Sequence, residues 1–177
     1  MVERSNFKNW HRSTLILIAV STVIRGILAA TTEFGNDEVY YVLYAMFPDL
    51  SHFDHPPMVG FLIQLFSLDL LLRSELFIRL GAIAISAFST FLIYRITKKV
   101  SSERSGFYAA LLFTASVYAS VIAGLFILPD APQMLFWLLS ISLLQDSVVK
   151  SPGTAGAQKK LLLAGLTIGL GMLSKYT

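Results

Sequence analysis

The chain has 177 residues, 55% of them hydrophobic and 14% charged, whereas an ordinary soluble domain has roughly 25% charged residues, so lipid is the expected solvent for most of its surface. It has no cysteine, which excludes disulfides and thiolate–metal sites. Its net charge of +3 comes from short basic clusters between apolar blocks, a pattern that fits membrane topology and argues against a nucleic-acid partner.

The first apolar block, residues 13–32, follows a segment that contains the basic residues Arg4, Lys8 and Arg12. The apolar core of a cleavable signal peptide has roughly 7 to 15 residues, so this block is too long for one. As a helix it would reach about 30 Å, the thickness of the hydrocarbon core of a bilayer. We therefore predict an uncleaved first membrane span.

Arg25 interrupts this block past its middle. A cationic side chain inside a bilayer costs at least about 2.5 kcal/mol unless it is shielded. Two interpretations stay open. Arg25 could form an ion pair with another helix or extend to the interface, or it could contact an anionic lipid head group.

Residues 33–55 form an acidic loop, which has five Asp and Glu residues and no Lys or Arg. Two of the acidic residues, Asp37 and Glu38, follow a Gly-Asn pair, and carboxylates at the start of a helix are favoured by the helix dipole. That use would be purely structural. A carboxylate beside Tyr41 at a membrane surface can also act as a general base toward a hydroxyl group, and both interpretations stay open.

The acidic loop ends with Asp54 and His55 in front of the pair Pro56-Pro57, through which a helix cannot continue. The proline pair can start a helix that leaves His55 at its surface. Alternatively, His55 contacts a phosphate, or Asp54 and His55 share a metal ion. Two adjacent ligands are a weak metal pattern.

Four later blocks have full or nearly full spanning length, at residues 76–97, 105–128, 131–149 and 161–176. The segment 57–72 is ambiguous, because sixteen residues of helix reach only about 24 Å. If it crossed the bilayer, Gln64 and Asp69 would lie in lipid.

Charge placement separates the two topologies, because cytoplasmic loops are rich in Lys and Arg. If the segment 57–72 does not cross, the basic N-terminus and two later basic clusters face the cytoplasm, while the acidic loop and Asp130 face outward. These clusters are Arg95, Lys98, Lys99 and Arg104, and then Lys150, Lys159 and Lys160. We therefore predict an all-α integral membrane protein with about five membrane-spanning helices, a cytoplasmic N-terminus and interfacial helices in the first outer loop.

Three further charged residues lie near the predicted outer face. Asp130 stands between two prolines, where it is a good helix N-cap and equally a residue that could position a substrate. Arg79 and Lys175 lie near the outward ends of their spans. For both, a side chain that extends to the interface is the simplest interpretation.

Five short segments in order carry a family resemblance: Asp37-Glu38-x-x-Tyr41, His55-Pro56-Pro57, Ser74-Glu75-x-x-x-Arg79-Leu80, Pro129-Asp130-Ala131-Pro132 and Gly169-Leu170-Gly171-Met172-Leu173-Ser174-Lys175-Tyr176. Together they resemble the N-terminal half of the polytopic glycosyltransferases of the GT-C class. The bacterial relatives of protein O-mannosyltransferases and the aminoarabinose transferases of lipid A are the members that the chain most resembles. The resemblance covers nearly the whole chain and depends on the order of the segments.

The resemblance implies a membrane glycosyltransferase that moves a sugar from a polyprenyl-phosphate donor to an acceptor hydroxyl on a protein, lipid or cell-envelope glycan, with inversion. It implies that Asp37 is the catalytic base, and that Asp130, the second acidic residue of the outer loops with a part in catalysis, positions the acceptor or the base. The substrate-binding residues that it implies are Glu38, Tyr41, His55, Arg79 and Lys175. The resemblance assigns no definite cofactor; the positive charge near the leaving phosphate could come from Arg79 and Lys175, and a divalent cation there stays open. The expected location is the cell (inner) membrane, with the active-site loops on the periplasmic side.

Members of this class look like chains with many more spans, so residues 1–177 are expected to form an N-terminal transmembrane module, a fragment of a longer protein. Two other classes stay open. A fragment of a lipid or solute transporter would use intramembrane charge and broken helices, whereas most acidic residues here gather in the outer loop. The second class is a truncated membrane protein that has the helices but no catalytic activity.

Overall fold

A computed structural model of the chain describes residues 9–149 and 153–176. Over these residues it is all-helical and has no β-strand, which confirms the all-α prediction. Its elements are α1 (Trp10–Thr31), α2 (Asn36–Met46), α3 (Met58–Ser67), α4 (Glu75–Val100), α5 (Glu103–Ala115), a π-helix (Tyr118–Ile122), α6 (Asp130–Val149) and α7 (Ala155–Met172). The basic residues Arg4, Lys8 and Lys150, to which the sequence analysis gave a cytoplasmic location, lie outside the described residues.

Two of the described helices, α1 and α4, are long and apolar enough to cross a bilayer by length and composition. Helix α1 begins where the Asn9 side chain accepts a hydrogen bond from the backbone N–H of Arg12 at 3.0 Å, which is a regular N-cap. Helix α4 has 26 residues and packs against α1, α3, α5 and α6. It is the central helix of the bundle. The total of about five spans stays a prediction.

Helix α3 packs on α4, and helix α2 packs on α3. Their buried side chains share one core with residues before and within the start of α6, and its members include Tyr41, Tyr44, Val59, Ile63, Ile78, Ala82, Ile127 and Ala131. Gly60 permits the close approach of α3 to α2, because a Cβ atom there would lie 2.8 Å from Tyr44 Cβ and 2.9 Å from its carbonyl oxygen. The acidic helix α2 is therefore held firmly against the bundle.

The ambiguous segment 57–72 contains only the ten-residue helix α3, which reaches about 15 Å, half of the hydrocarbon thickness. It ends in three consecutive left-handed residues, Leu68, Asp69 and Leu70, a conformation that is uncommon for residues with a side chain. Ser67 Oγ accepts a hydrogen bond from the Leu70 N–H at 2.9 Å, and Arg73 Nε donates to the Leu70 carbonyl at 2.8 Å. These bonds hold the turn that leads into α4.

The predicted continuous span 105–128 differs from the structure, in which α5 ends at Ala115 and a π-helix follows. The physical reason lies in Ser116, whose backbone is extended. Its hydroxyl donates to the Phe113 carbonyl at 2.9 Å and accepts from the Ala119 N–H at 3.2 Å. A serine side chain that bonds to nearby backbone groups competes with the regular helical pattern, so the apolar block is divided into two short helices.

Basic residues gather at the C-terminal end of α4. Lys99 and Lys160 both form ion pairs with Asp146 of α6, the second at 3.2 Å. Lys98 pairs with Glu103 at the start of α5 at 2.5 Å. Described members of both basic clusters, which are predicted to face one side of a membrane, therefore lie at this end of the bundle.

The acidic loop lies at the opposite, N-terminal end of α4. There the residues that follow α7 reach the first loop, where the Tyr176 hydroxyl lies 2.9 Å from the Ser51 hydroxyl and the Met58 N–H donates to the Leu173 carbonyl at 3.4 Å. The two charge groups therefore lie at opposite ends of the bundle. Their orientation relative to a membrane stays a prediction.

Candidate functional site

The two neighbouring acidic residues of α2 have different surroundings. Glu38 is 1% exposed and forms a bidentate ion pair with the fully buried Arg79, in which Nε–Oε1 and Nη2–Oε2 are both 2.7 Å. Asp37 is exposed, and within residues 9–149 and 153–176 its carboxylate has no hydrogen-bond or ion-pair partner. Only one of the two carboxylates is therefore free to meet a ligand.

Arg79 binds the end of α1 in addition to Glu38. Its Nη1 atom donates to the carbonyls of Ala29 and Thr32 at 3.0 and 2.7 Å, and its Nη2 atom donates to the Glu33 carbonyl at 2.9 Å. Carbonyls at a helix C-terminus lack partners within the helix and form the negative end of its dipole. Since a guanidinium has five N–H groups, every donor of Arg79 has a partner in the protein.

Glu38 likewise uses all of its acceptor capacity. Besides Arg79, it accepts from the backbone N–H groups of Gly35 at 3.0 Å and Ile127 at 3.1 Å. A carboxylate has about four lone-pair sites, and all four are occupied. The pair thus fixes the start of α2 to α1, to α4 and to the segment before α6. In this arrangement neither residue offers a polar atom to a substrate, and substrate binding by Glu38 and Arg79 stays a prediction.

Asp37 lies at the edge of an open cavity of about 320 Å³. The cavity is lined by Gly35, Asn36, Asp37, Glu38, Phe126 and Leu128. Its walls combine the start of α2 with the segment that Glu38 holds through Ile127. The cavity therefore presents a free carboxylate beside apolar side chains on a fixed backbone.

Tyr41 lies near several acidic residues at this end of the bundle. It is 8% exposed, and burial, followed by its neighbour Tyr44 and the charges of Asp37, Asp130 and Asp54, raises the pKa of its hydroxyl to about 12. Asp37 and Asp54 belong to the acidic loop, whereas Asp130 begins α6, so the fold brings carboxylates from two parts of the chain near this hydroxyl. Tyr41 therefore stays protonated at neutral pH and can donate a hydrogen bond.

Asp130 and Lys175 form an ion pair at the same end of the bundle. Lys175 Nζ lies 2.9 and 3.1 Å from the two carboxylate oxygens, and the Tyr118 hydroxyl donates to Oδ1 at 2.7 Å. Burial alone would raise the pKa of Asp130, but the hydrogen bonds from Tyr118 and Lys175 and the ammonium charge hold that pKa below its usual value. A carboxylate held in this charged form is suited to orienting its neighbours rather than to accepting a proton.

The two histidines of the acidic loop pack on the tyrosines of α2. His52 stacks on Tyr44 with a ring distance of 3.7 Å, and the His55 ring lies 6.0 Å from that of Tyr41. His52 Nε2 and His55 Nδ1 are buried and have no hydrogen-bond partner among the described residues. Buried polar atoms in native proteins nearly always have a partner, so both nitrogens are candidates for ligand contacts.

A shared metal site receives no support from the described residues, among which no group of three or more His, Asp or Glu side chains is placed to hold an ion. The sequence offers only the adjacent pair Asp54 and His55 as candidate metal ligands. The open alternative of a divalent cation therefore has no assigned site.

The structure brings Asp37, Tyr41, His55, Asp130 and Lys175 to one end of the bundle, as the contacts above describe. Sequence reasoning missed Tyr118 and Phe126. Tyr118 lies inside an apolar block, and its partner Asp130 follows twelve residues later. This spacing matches no regular helical period, because a π-helix lies between the two residues. Phe126 is one aromatic residue among many in such blocks, so the sequence holds no signal for either.

Comparisons with known proteins agree with the resemblance drawn from the sequence. A family model described as dolichyl-phosphate-mannose-protein mannosyltransferase matches residues 54–177, which is more than half of the chain. The match includes Asp130 and Lys175 and begins after Asp37 and Glu38. No curated protein and no solved structure matched the chain in the corresponding comparisons.

Proposed function

Because the chain belongs to the dolichyl-phosphate-mannose-protein mannosyltransferase family, we propose that it takes part in transfer of a sugar from a polyprenyl-phosphate donor to a hydroxyl group of a protein, lipid or cell-envelope glycan. Family membership makes it a membrane glycosyltransferase of the mannosyltransferase-like type. The sugar, the acceptor and inversion at the anomeric carbon belong to the proposal.

The free carboxylate of Asp37 is the observation that carries the proposal. It lies at an open cavity without a neutralising partner among the described residues, whereas Glu38 beside it is saturated. In the proposed step, Asp37 takes the proton of the acceptor hydroxyl while the oxygen forms a bond to the anomeric carbon. The bond from that carbon to the lipid phosphate breaks, and the phosphate leaves as an anion, so no general acid is required.

Lys175 and Asp130 form the second part of the proposed site. The Lys175 ammonium carries positive charge at the same end of the bundle as Asp37 and can stabilise the leaving phosphate. Asp130 holds the ammonium through both of its oxygens, so its role in the reaction is to position Lys175 and the acceptor. The protonated Tyr41 hydroxyl and the unpartnered His55 Nδ1 are the groups that we assign to substrate contacts.

Glu38 and Arg79 enter the proposal as positioning residues. Their contacts join α1, α2, α4 and the backbone at Ile127, and these elements surround Asp37. Substrate binding by Arg79, which the family resemblance implies, would require it to release acceptors that it now holds.

The proposed setting is the cell (inner) membrane, with about five spans, a cytoplasmic N-terminus and the Asp37 cavity on the periplasmic side. The separation of basic and acidic residues to opposite ends of the bundle supports it, since cytoplasmic loops are rich in Lys and Arg. Residues 1–177 would form the N-terminal transmembrane module of such an enzyme.

The test compares Asp37→Asn with Glu33→Gln, a control at an exposed acidic residue of the same loop, in membranes supplied with polyprenyl-phosphate mannose and a peptide acceptor. Asparagine keeps the shape of aspartate but cannot accept the proton, so we expect transfer to fall about 100- to 10,000-fold. The control should keep the activity of the unchanged protein. Unchanged turnover in Asp37→Asn would refute the base assignment and transfer the role to another carboxylate.

A further inference from the structure

Arg25 lies in the apolar helix α1 and is 4% exposed. Its Nε atom donates to the Ser120 carbonyl of the π-helix at 3.2 Å. Its Nη1 atom is buried and has no hydrogen-bond partner among the described residues. A buried guanidinium with one neutral acceptor is incompletely compensated, because burial of a charge is costly unless the charge is paired.

A cavity of about 240 Å³ lies beside this side chain. The polar residues that line it are Ser21, Arg25, Thr114 and Ser120. The remaining lining is aliphatic and includes Ile24 and Leu28, which are 52% and 44% exposed. The cavity therefore combines a cation and small hydroxyl residues with an edge of apolar side chains at the protein surface.

We infer that this cavity binds the phosphate group of a membrane lipid, with Arg25 as its principal contact. A phosphate oxygen would supply the acceptor that Nη1 lacks, and hydrogen bonds between charged groups are stronger than those between neutral ones. The guanidinium is also the side chain whose geometry best fits a phosphate. The exposed aliphatic edge suits the acyl or prenyl chain of the same molecule.

The position along α1 agrees with a lipid ligand. Arg25 lies six residues before the end of the helix, or about 9 Å along its axis, which is within reach of the head-group region if α1 crosses the bilayer as proposed. The π-helix that follows α5 places the Ser120 carbonyl beside Arg25 at this depth, and π-helical turns are frequent at functional sites. The inference rests on the proposed membrane span of α1 and does not require the assignment of Asp37.

Two sources of a lipid phosphate share this chemistry, a glycerophospholipid and a polyprenyl phosphate. The experiment measures lipid binding to the purified protein in non-ionic detergent by native mass spectrometry. Phosphatidylglycerol and a polyprenyl phosphate are titrated separately, with diacylglycerol as a phosphate-free lipid and inorganic phosphate as a lipid-free anion. Two variants alter the cavity: Arg25→Met removes the cation, and Ser21→Phe fills the cavity while retaining the cation. The control is Arg104→Met, which removes an exposed cation near Tyr108 at the basic end of the bundle.

We expect at least one phosphate-bearing lipid to bind, and the tighter of the two identifies the source. Arg25→Met and Ser21→Phe should weaken this binding about 10- to 100-fold, the value of a hydrogen bond to a charged group, while Arg104→Met leaves it unchanged. Equal binding by all variants, equal binding of diacylglycerol, or binding of inorganic phosphate alone would overturn the inference. If Arg25→Met does not fold, Ser21→Phe decides the result.

The integral membrane location on which this inference rests is tested separately. The protein should remain in the membrane fraction after extraction with alkaline carbonate. Release into the soluble fraction would refute the span and with it this inference, whereas an integral protein with unaltered lipid binding in Arg25→Met would refute the Arg25 site alone.

Discussion

Asp37 and Glu38 are adjacent in the chain, yet the helix directs one to the cavity and the other into the bundle. In a helix, neighbouring residues project about 100° apart, so two successive carboxylates cannot share one environment. Glu38 accepts a hydrogen bond from the Gly35 N–H at the start of α2 and neutralises Arg79. Asp37 is left with the charge and accessibility that a general base requires. The difference between the surroundings of the two carboxylates thus follows from local helix geometry.

The buried ion pair gives a stability prediction. Glu38→Gln should lower the free energy of unfolding by about 3–5 kcal/mol, because Arg79 would keep a buried charge without its partner. The double variant Glu38→Gln/Arg79→Met should lose less than the sum of the two single variants, since it leaves no unpaired charge. Chemical denaturation in non-ionic detergent provides the measurement.

Glu33→Gln is the matched control for this pair. Its side chain is exposed, and substitutions at such positions usually change stability by no more than about 0.5 kcal/mol. A Glu38→Gln variant as stable as this control would show that the pair does not hold the loop.

At the scale of elements, the placement of α2 depends on its contact with α3. Gly60→Ala should destabilise the protein by about 1–3 kcal/mol, the usual cost of overpacking, because the new methyl group would lie 2.9 Å from the carbonyl carbon of Tyr44. Backbone atoms of α2 cannot move aside without moving Asp37, so activity should fall together with stability.

Gly165→Ala in α7 is the comparison for Gly60→Ala. A Cβ atom there meets no other atom within 4 Å, and alanine is favoured over glycine inside a helix by roughly 0.5–1 kcal/mol. This variant should be at least as stable as the unchanged protein when unfolding is followed by circular dichroism. Equal stability of the two variants would contradict the close packing of α2 on α3.

Most helices could be predicted from apolar block length, because a long apolar run has few other stable conformations in lipid. The predicted block 13–32 corresponds to α1 and the block 76–97 to α4. The block 105–128 was wrong as one helix, since apolar content does not register the Ser116 hydroxyl that ends α5. The Glu38–Arg79 pair joins residues 41 positions apart, and no local pattern encodes such a contact.

At the scale of the whole molecule, the charge distribution gives the bundle two chemically different ends. One end contains the Lys99–Asp146–Lys160 group and the other contains Asp37 and the Asp130–Lys175 pair. A donor lipid phosphate and a free carboxylate base are needed on the same side of a membrane for the proposed transfer. In the fold, α7 returns to the acidic end, where Lys175 contacts Asp130, an arrangement that is consistent with the proposed requirement.

The topology can be tested with two single-cysteine variants, because the chain has no cysteine of its own. Ser51 lies in the acidic loop and Ser102 between α4 and α5, and both are exposed. In intact cells, an impermeant thiol reagent should label Ser51→Cys and leave Ser102→Cys unlabelled, while both should react after the membrane is opened. The reason is that a topology with Ser102 outside would also export Lys98 and Lys99, against the preference of basic residues for the cytoplasm. Labelling of Ser102→Cys alone in intact cells would invert the orientation and place the Asp37 cavity on the cytoplasmic side.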